Sequence, residues 1–104
     1  MRDFEPARGV ALTDDLASDS AIPWFLWDEP MTMSELRGRL ERSDADRIRL
    51  LGKILREARD EEVWLFTTPA EISRLWPDLE RHLGRRRDFW RFLLNQWREQ
   101  GLVS

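Results

Sequence analysis

The chain has 104 residues and a formal net charge of −3, with 41% apolar and 36% charged residues and no cysteine. That length suits one domain with one core, and the mix is globular rather than disordered or membrane-embedded. Disulfides and thiolate chemistry are excluded, no apolar run reaches the ~18–20 residues that span a bilayer, and the expected location is the cytoplasm.

The charge is unevenly placed. Residues 1–19 carry Arg2 and Arg8 against Asp3, Glu5, Asp14, Asp15 and Asp19, so this stretch holds the whole net charge and the rest of the chain is neutral. Residues 1–20 mix Pro, Gly, Ala, Ser and Asp with few large apolar side chains and read as an acidic, mobile leader, with Phe4, Val10 and Leu12 as weak anchors. Residues 21–104 read as the helical domain. Arg outnumbers Lys sixteen to one. Such a bias points to a GC-rich coding sequence and weakens the inference that each Arg serves phosphate.

The leader runs into PWFLWDEP, Pro23 to Pro30. Each proline pushes the residue before it toward extended backbone, so a short extended segment or a single turn is expected. Phe25 and Leu26 are expected to turn inward, with Trp24, Trp27 and Asp28 near a functional surface. Thr32-Met33-Ser34-Glu35 then fits a capping box. The helix it opens carries Leu36 and Leu40 at i, i+4 and ends near Ser43. Ser43 starts the next helix, with Asp44 and Asp46 suited to the positive end of its dipole. Ile48, Leu51, Leu55 and Ala58 give it a face, widened by Ile54. Gly52 costs this helix ~1 kcal/mol against Ala and suggests close approach of a neighbour.

The stretch EEVWLFTT, residues 61–68, fits a short buried strand or another helical turn equally well. Thr68-Pro69-Ala70-Glu71 is the clearest local signal, with Thr at N-cap, Pro at N1 and Glu at N3. A short helix over 69–76 follows, then a new turn from Pro77 through Leu79 and Leu83 to Gly84. The last helix spans about 85–100. Its apolar face is Phe89, Leu93 and Trp97 at i, i+4 and i+8, with Trp90 and Leu94 beside them. Gly101 and Leu102 fit a Schellman cap. The predicted fold is all-α: a small single-domain bundle of four to five short helices with an extended N-terminal arm and no internal repeat.

Chemistry-bearing motifs are scarce. His82 is the lone histidine, the five glycines are scattered, and no phosphate loop is present. His82 reads best as a surface or half-buried residue. Asp60-Glu61-Glu62 reads as a solvated junction. No catalytic residue, no cofactor and no metal site is expected, and the chain reads as no enzyme.

Two stretches remain as candidate surfaces. In RRRDFWR, Arg85, Arg86, Arg87 and Arg91 interleave with aromatics, and residues 74–98 hold seven Arg against three acids. Basic charge beside stacking side chains suits nucleic acid. The alternatives are contact with an acidic protein surface or, more plainly, a solvated and partly ion-paired helix start. A small helix-turn-helix DNA-binding regulator is therefore the second reading. The other surface is Trp24, Trp27, Asp28 and Glu29. Six Trp in 104 residues is a high load. Trp64, Trp76, Trp90 and Trp97 fit helix faces and so a core. Trp24 and Trp27 lie outside a clear amphipathic helix, beside two acids, and suit either the core of a small domain or a protein interface.

Three stretches, PWFLWDEPMT, LLGKILREARDEEVWLFTTPAEI and LWPDLERHLGRRRDFWRFLLNQWREQGL, together resemble small bacterial proteins encoded upstream of nucleotidyltransferase-like toxins of the abortive-infection type. The resemblance covers roughly residues 22–103 and carries no catalytic or binding residue onto this chain. It implies an antitoxin in a phage-defence toxin–antitoxin system, with the toxin as cognate protein partner. No membrane and no small-molecule substrate is implied. DNA contact at the arginines would fit repression of its own operon.

Overall fold

A computed structural model describes residues 12, 13 and 15–103. Most of the expected acidic leader, with the anchors Phe4 and Val10, lies outside those residues. Among the described residues there are four α-helices: α1 (Met33–Arg42), α2 (Asp44–Glu57), α3 (Pro69–Leu79) and α4 (Arg87–Glu99). A six-residue 3-10 helix, Asp60–Leu65, lies between α2 and α3. The fold class is all-α, with one two-stranded exception. β1 (Leu12–Thr13) and β2 (Ile22–Pro23) run parallel, Leu12 opposite Ile22 and Thr13 opposite Pro23. The chain divides into two compact units, residues 1–39 and 40–104.

In the first unit, short polar side chains shape the link between the strands. The Asp15 amide donates to Thr13 Oγ1 at 3.0 Å, the Ala17 amide to Asp15 Oδ1 at 3.2 Å, and the Ser20 amide to Ser18 Oγ at 3.2 Å. Ser, Thr and Asp favour turns because they offer the backbone such partners. Leu16 is buried. The start of α1 is then satisfied from two directions. Thr32 Oγ1 accepts from the Glu35 amide at 3.1 Å, as the capping box requires. The Met33 and Ser34 amides donate to the carbonyls of Ala21 and Asp19 at 2.8 and 3.0 Å. These are orphan donors of a first helical turn, so backbone from residues 19–21 completes the cap. After Pro23 the chain makes a 3-10 turn, Trp24–Leu26. The expected extended segment and the expected turn thus both occur, one after the other.

In the second unit, Ser43 caps α2 by accepting from the Asp46 amide at 3.2 Å. Leu50, Leu51, Ile54 and Leu55 are fully buried. At ~1.5–3 kcal/mol for burying each such side chain, this row dominates the helix's stability. The ambiguous stretch resolves as the 3-10 helix, and its acids explain why. Glu62 accepts from the Arg59 amide at 2.9 Å through Oε1, and is buried. The acidic run is therefore not uniformly solvated: Asp60 and Glu61 are exposed, while Glu62 caps.

Thr68 accepts from the Glu71 amide at 3.2 Å and Pro69 opens α3, as expected. The predicted break at Pro77 does not occur. The helix runs through Pro77 to Leu79. A proline near a helix end removes one bond without forcing the chain to stop. A 3-10 turn, Glu80–His82, follows, then Leu83, and Gly84 at φ 52°. A second 3-10 turn, Gly84–Arg86, leads into α4. The Schellman cap is complete: the Leu102 amide donates to the Trp97 carbonyl at 2.9 Å and the Gly101 amide to that of Arg98 at 3.1 Å. Gly101 takes φ 76°, the left-handed conformation that favours glycine.

The buried face of α4 corrects the predicted one. Trp90 and Leu94 are the buried residues, whereas Phe89 is 37% exposed and Leu93 and Trp97 are half-buried. At 100° per residue the two stripes lie side by side, and α4 has apolar residues on both. Tertiary packing chose the one that lets Trp90 reach Leu55. Its Nε1 donates to the Leu55 carbonyl at 2.8 Å, an acceptor in the last turn of α2 that intrahelical bonding does not supply.

Candidate functional site

The aromatic–acidic segment follows from its two prolines and its alternating fate. Phe25 and Leu26 are fully buried, Trp24 is half-buried with its ring edge-on to Phe25 at 5.8 Å, and Trp27 is 66% exposed. Turning Phe25 and Leu26 inward in a three-residue 3-10 turn necessarily sends the next side chain outward. Asp28 beside it is exposed. Glu29 is half-buried, its amide donating to the Leu26 carbonyl at 3.1 Å and its carboxylate 3.9 Å from Arg39. Arg39 also lies 3.6 Å from Glu35. The structure thus sets the exposed Trp27 indole beside the exposed Asp28, with Glu29 half-buried next to them.

The arginines do not converge. Arg86 ion-pairs with Asp60, and its guanidinium lies over the Phe89 ring at 4.7 Å and the Trp90 ring at 5.9 Å. Arg91 ion-pairs with Glu80 and lies 3.7 Å from Asp88, and these carboxylates hold its charged form more firmly than usual. Their partners belong to different elements, Asp60 to the 3-10 helix before α3 and Glu80 to the 3-10 turn after it. Arg85 and Arg87 are exposed. Arg85 lines a cleft with Arg56, Glu57, Gly84 and Arg86, but Arg56 already donates to Glu57 at 2.9 Å and to the His82 carbonyl at 2.9 Å.

Some exposed apolar residues went unforeseen. Trp64, expected in the core, is 43% exposed, and Leu65 and Phe92 are 53% and 60% exposed. Trp64 packs edge-on to Trp90 at 6.1 Å and to Trp97 at 5.9 Å, so it covers the buried indole from outside. Phe92 had a legible signal. It is the one large apolar residue of α4 off the 89/93/97 stripe and off the 90/94/97 stripe.

Among the described residues, no group of three or more His, Cys, Asp or Glu side chains is placed to hold a metal ion, and no helix is long and apolar enough to cross a membrane. A half-buried polar cluster around Glu71 is structural. Glu71 accepts from Thr67 Oγ1 at 2.6 Å and from Arg47 Nε at 2.8 Å, with Arg74 at 3.5 Å. Burial opposes ionisation of Glu71, but the bonds from Thr67 and Arg47 outweigh it and hold its pKa below the usual value. No protein-family model matches the chain, and no curated protein or solved structure matches it either.

Proposed function

We propose that this chain is a cytoplasmic, non-catalytic protein-binding module that docks a cognate protein through Trp27 and Asp28. The observation that carries the proposal is the 66% exposure of Trp27, immediately after two fully buried residues and immediately before an exposed carboxylate. An indole held outward on a turn anchored by Phe25 and Leu26 presents large apolar area with little conformational freedom to lose. Interface hot spots are enriched in such Trp side chains. The resemblance of residues 22–103 supplies the partner class: a nucleotidyltransferase-like toxin, with this chain as its antitoxin. The acids of residues 1–19 and Asp28 suit a basic, phosphate-binding pocket on that partner.

The test is a pull-down with the product of the neighbouring gene, using the full chain and the variants Trp27→Ala and Asp28→Ala. Trp27→Ala is expected to weaken capture by about 30-fold, as truncating a hot spot does. Capture unchanged in both variants would refute the assignment. Less supports DNA binding at Arg85, Arg86, Arg87 and Arg91, because Arg86 and Arg91 already face carboxylates. That alternative predicts affinity falling steeply with salt.

A further inference from the structure

The outer edge of α4, together with the turn before it, is self-complementary. Arg85, Phe89, Phe92, Gln96 and Glu99 recur at spacings of four, three, four and three. Within α4, the three-four-three spacing from Phe89 to Glu99 is the heptad-like one that keeps residues on one seam when two helices pack at a shallow angle, and Arg85 precedes it in the 3-10 turn. Phe92 sits at the centre and is 60% exposed; Phe89, one turn earlier, is 37% exposed. The ends carry opposite charge, Arg85 and Glu99, both exposed.

We infer that α4 pairs antiparallel with α4 of a second copy of this chain, about a two-fold axis at Phe92. A two-fold contact must be complementary to itself: whatever lies at one end meets what lies at the other. Here that operation stacks Phe92 on its equivalent and lays Phe89 of one copy against Gln96 of the other. It also brings Arg85 of one copy to Glu99 of the other, twice per dimer. A parallel pairing would instead set like charge against like. The helix dipoles also oppose in the antiparallel arrangement. Trp64, at 43% exposure, packs on Trp90 and Trp97 on the other side of α4. The pairing is independent of Trp27, which lies in the other unit.

Sedimentation equilibrium of the full chain at up to about 100 µM, a range that detects micromolar association, tests this directly. A monomer–dimer equilibrium is expected, abolished by Phe92→Glu with an unchanged circular dichroism spectrum, since Phe92 is mostly exposed. Arg85→Glu and Glu99→Arg are each expected to weaken association about tenfold, because every dimer contains the altered pair twice. The double variant R85E/E99R is expected to recover it. A monomer throughout, a dimer indifferent to Phe92→Glu, or single charge variants that the double variant fails to rescue would each overturn the pairing. So would a monomeric chain whose capture of a different protein is lost in Phe92→Glu, because the seam would then belong to that protein.

Discussion

Replacing Gly52 with Ala sets two effects of opposite sign against each other at one atom. In an isolated helix the change is favourable by ~1 kcal/mol, because glycine has more backbone freedom to lose. In this fold the new Cβ of α2 would lie 2.5 Å from His82 Cβ and 3.2 Å from its Cγ. Neither atom is the free end of a flexible chain, so the Glu80–His82 turn itself must move. That turn is also held to α2 by the bond from Arg56 Nη1 to the His82 carbonyl, 2.9 Å long, which the same movement strains. Overpacking of this kind costs ~1–3 kcal/mol, so the net outcome is a destabilisation of roughly 0–2 kcal/mol. Urea unfolding followed by circular dichroism measures it, and a double-mutant cycle with His82→Gly isolates the clash. In the His82→Gly background the overlap is gone, and Gly52→Ala should then stabilise, by up to ~1 kcal/mol. The reasoning fails if Gly52→Ala stabilises the parent chain by that full amount, or if His82→Gly leaves its effect unchanged.

Trp90→Phe removes the donor that satisfies the Leu55 carbonyl and leaves space where the larger ring sat. A loss of ~2–4 kcal/mol is expected by the same unfolding assay, combining an unmet buried acceptor with a cavity. Glu71→Gln should cost ~1–3 kcal/mol by weakening the contacts with Arg47 and Thr67. It should also change the acid limb. The folded-state pKa of Glu71 is lowered from 4.5, so its contribution is present above that value and lost as pH falls through the lower, folded-state one. Between pH 5 and 3 the parent should therefore lose stability more steeply than Glu71→Gln. Equal slopes would show that Glu71 is not linked to folding.

Several elements were legible because their signals are local. Thr68-Pro69-Ala70-Glu71, Ser43 with Asp46, and Gly101 with Leu102 each satisfy orphan amides or carbonyls with atoms a few residues away, and each occurs as read. The candidate site was partly legible. Pro23 and the run of four large apolar residues announced a turn with some side chains inside, and Phe25, Leu26 and Trp27 divided as expected. The arginine cluster was less so. Counting charges along residues 74–98 does not reveal that Arg86 and Arg91 pair with different carboxylates, Asp60 and Glu80.

The sequence by itself determined the all-α class, the helix starts at Thr32, Ser43 and Thr68, and the final cap. Those follow from periodicity and from hydrogen bonds that close within a turn. Tertiary structure alone decided which stripe of α4 is buried, because that helix is apolar over a wide arc. The buried stripe is the one whose Trp90 reaches the Leu55 carbonyl, 35 residues away, and whose Leu94 joins the core. The same choice rotates Phe92 outward. It also leaves Trp64 half on the surface, covering the indole that the core took in.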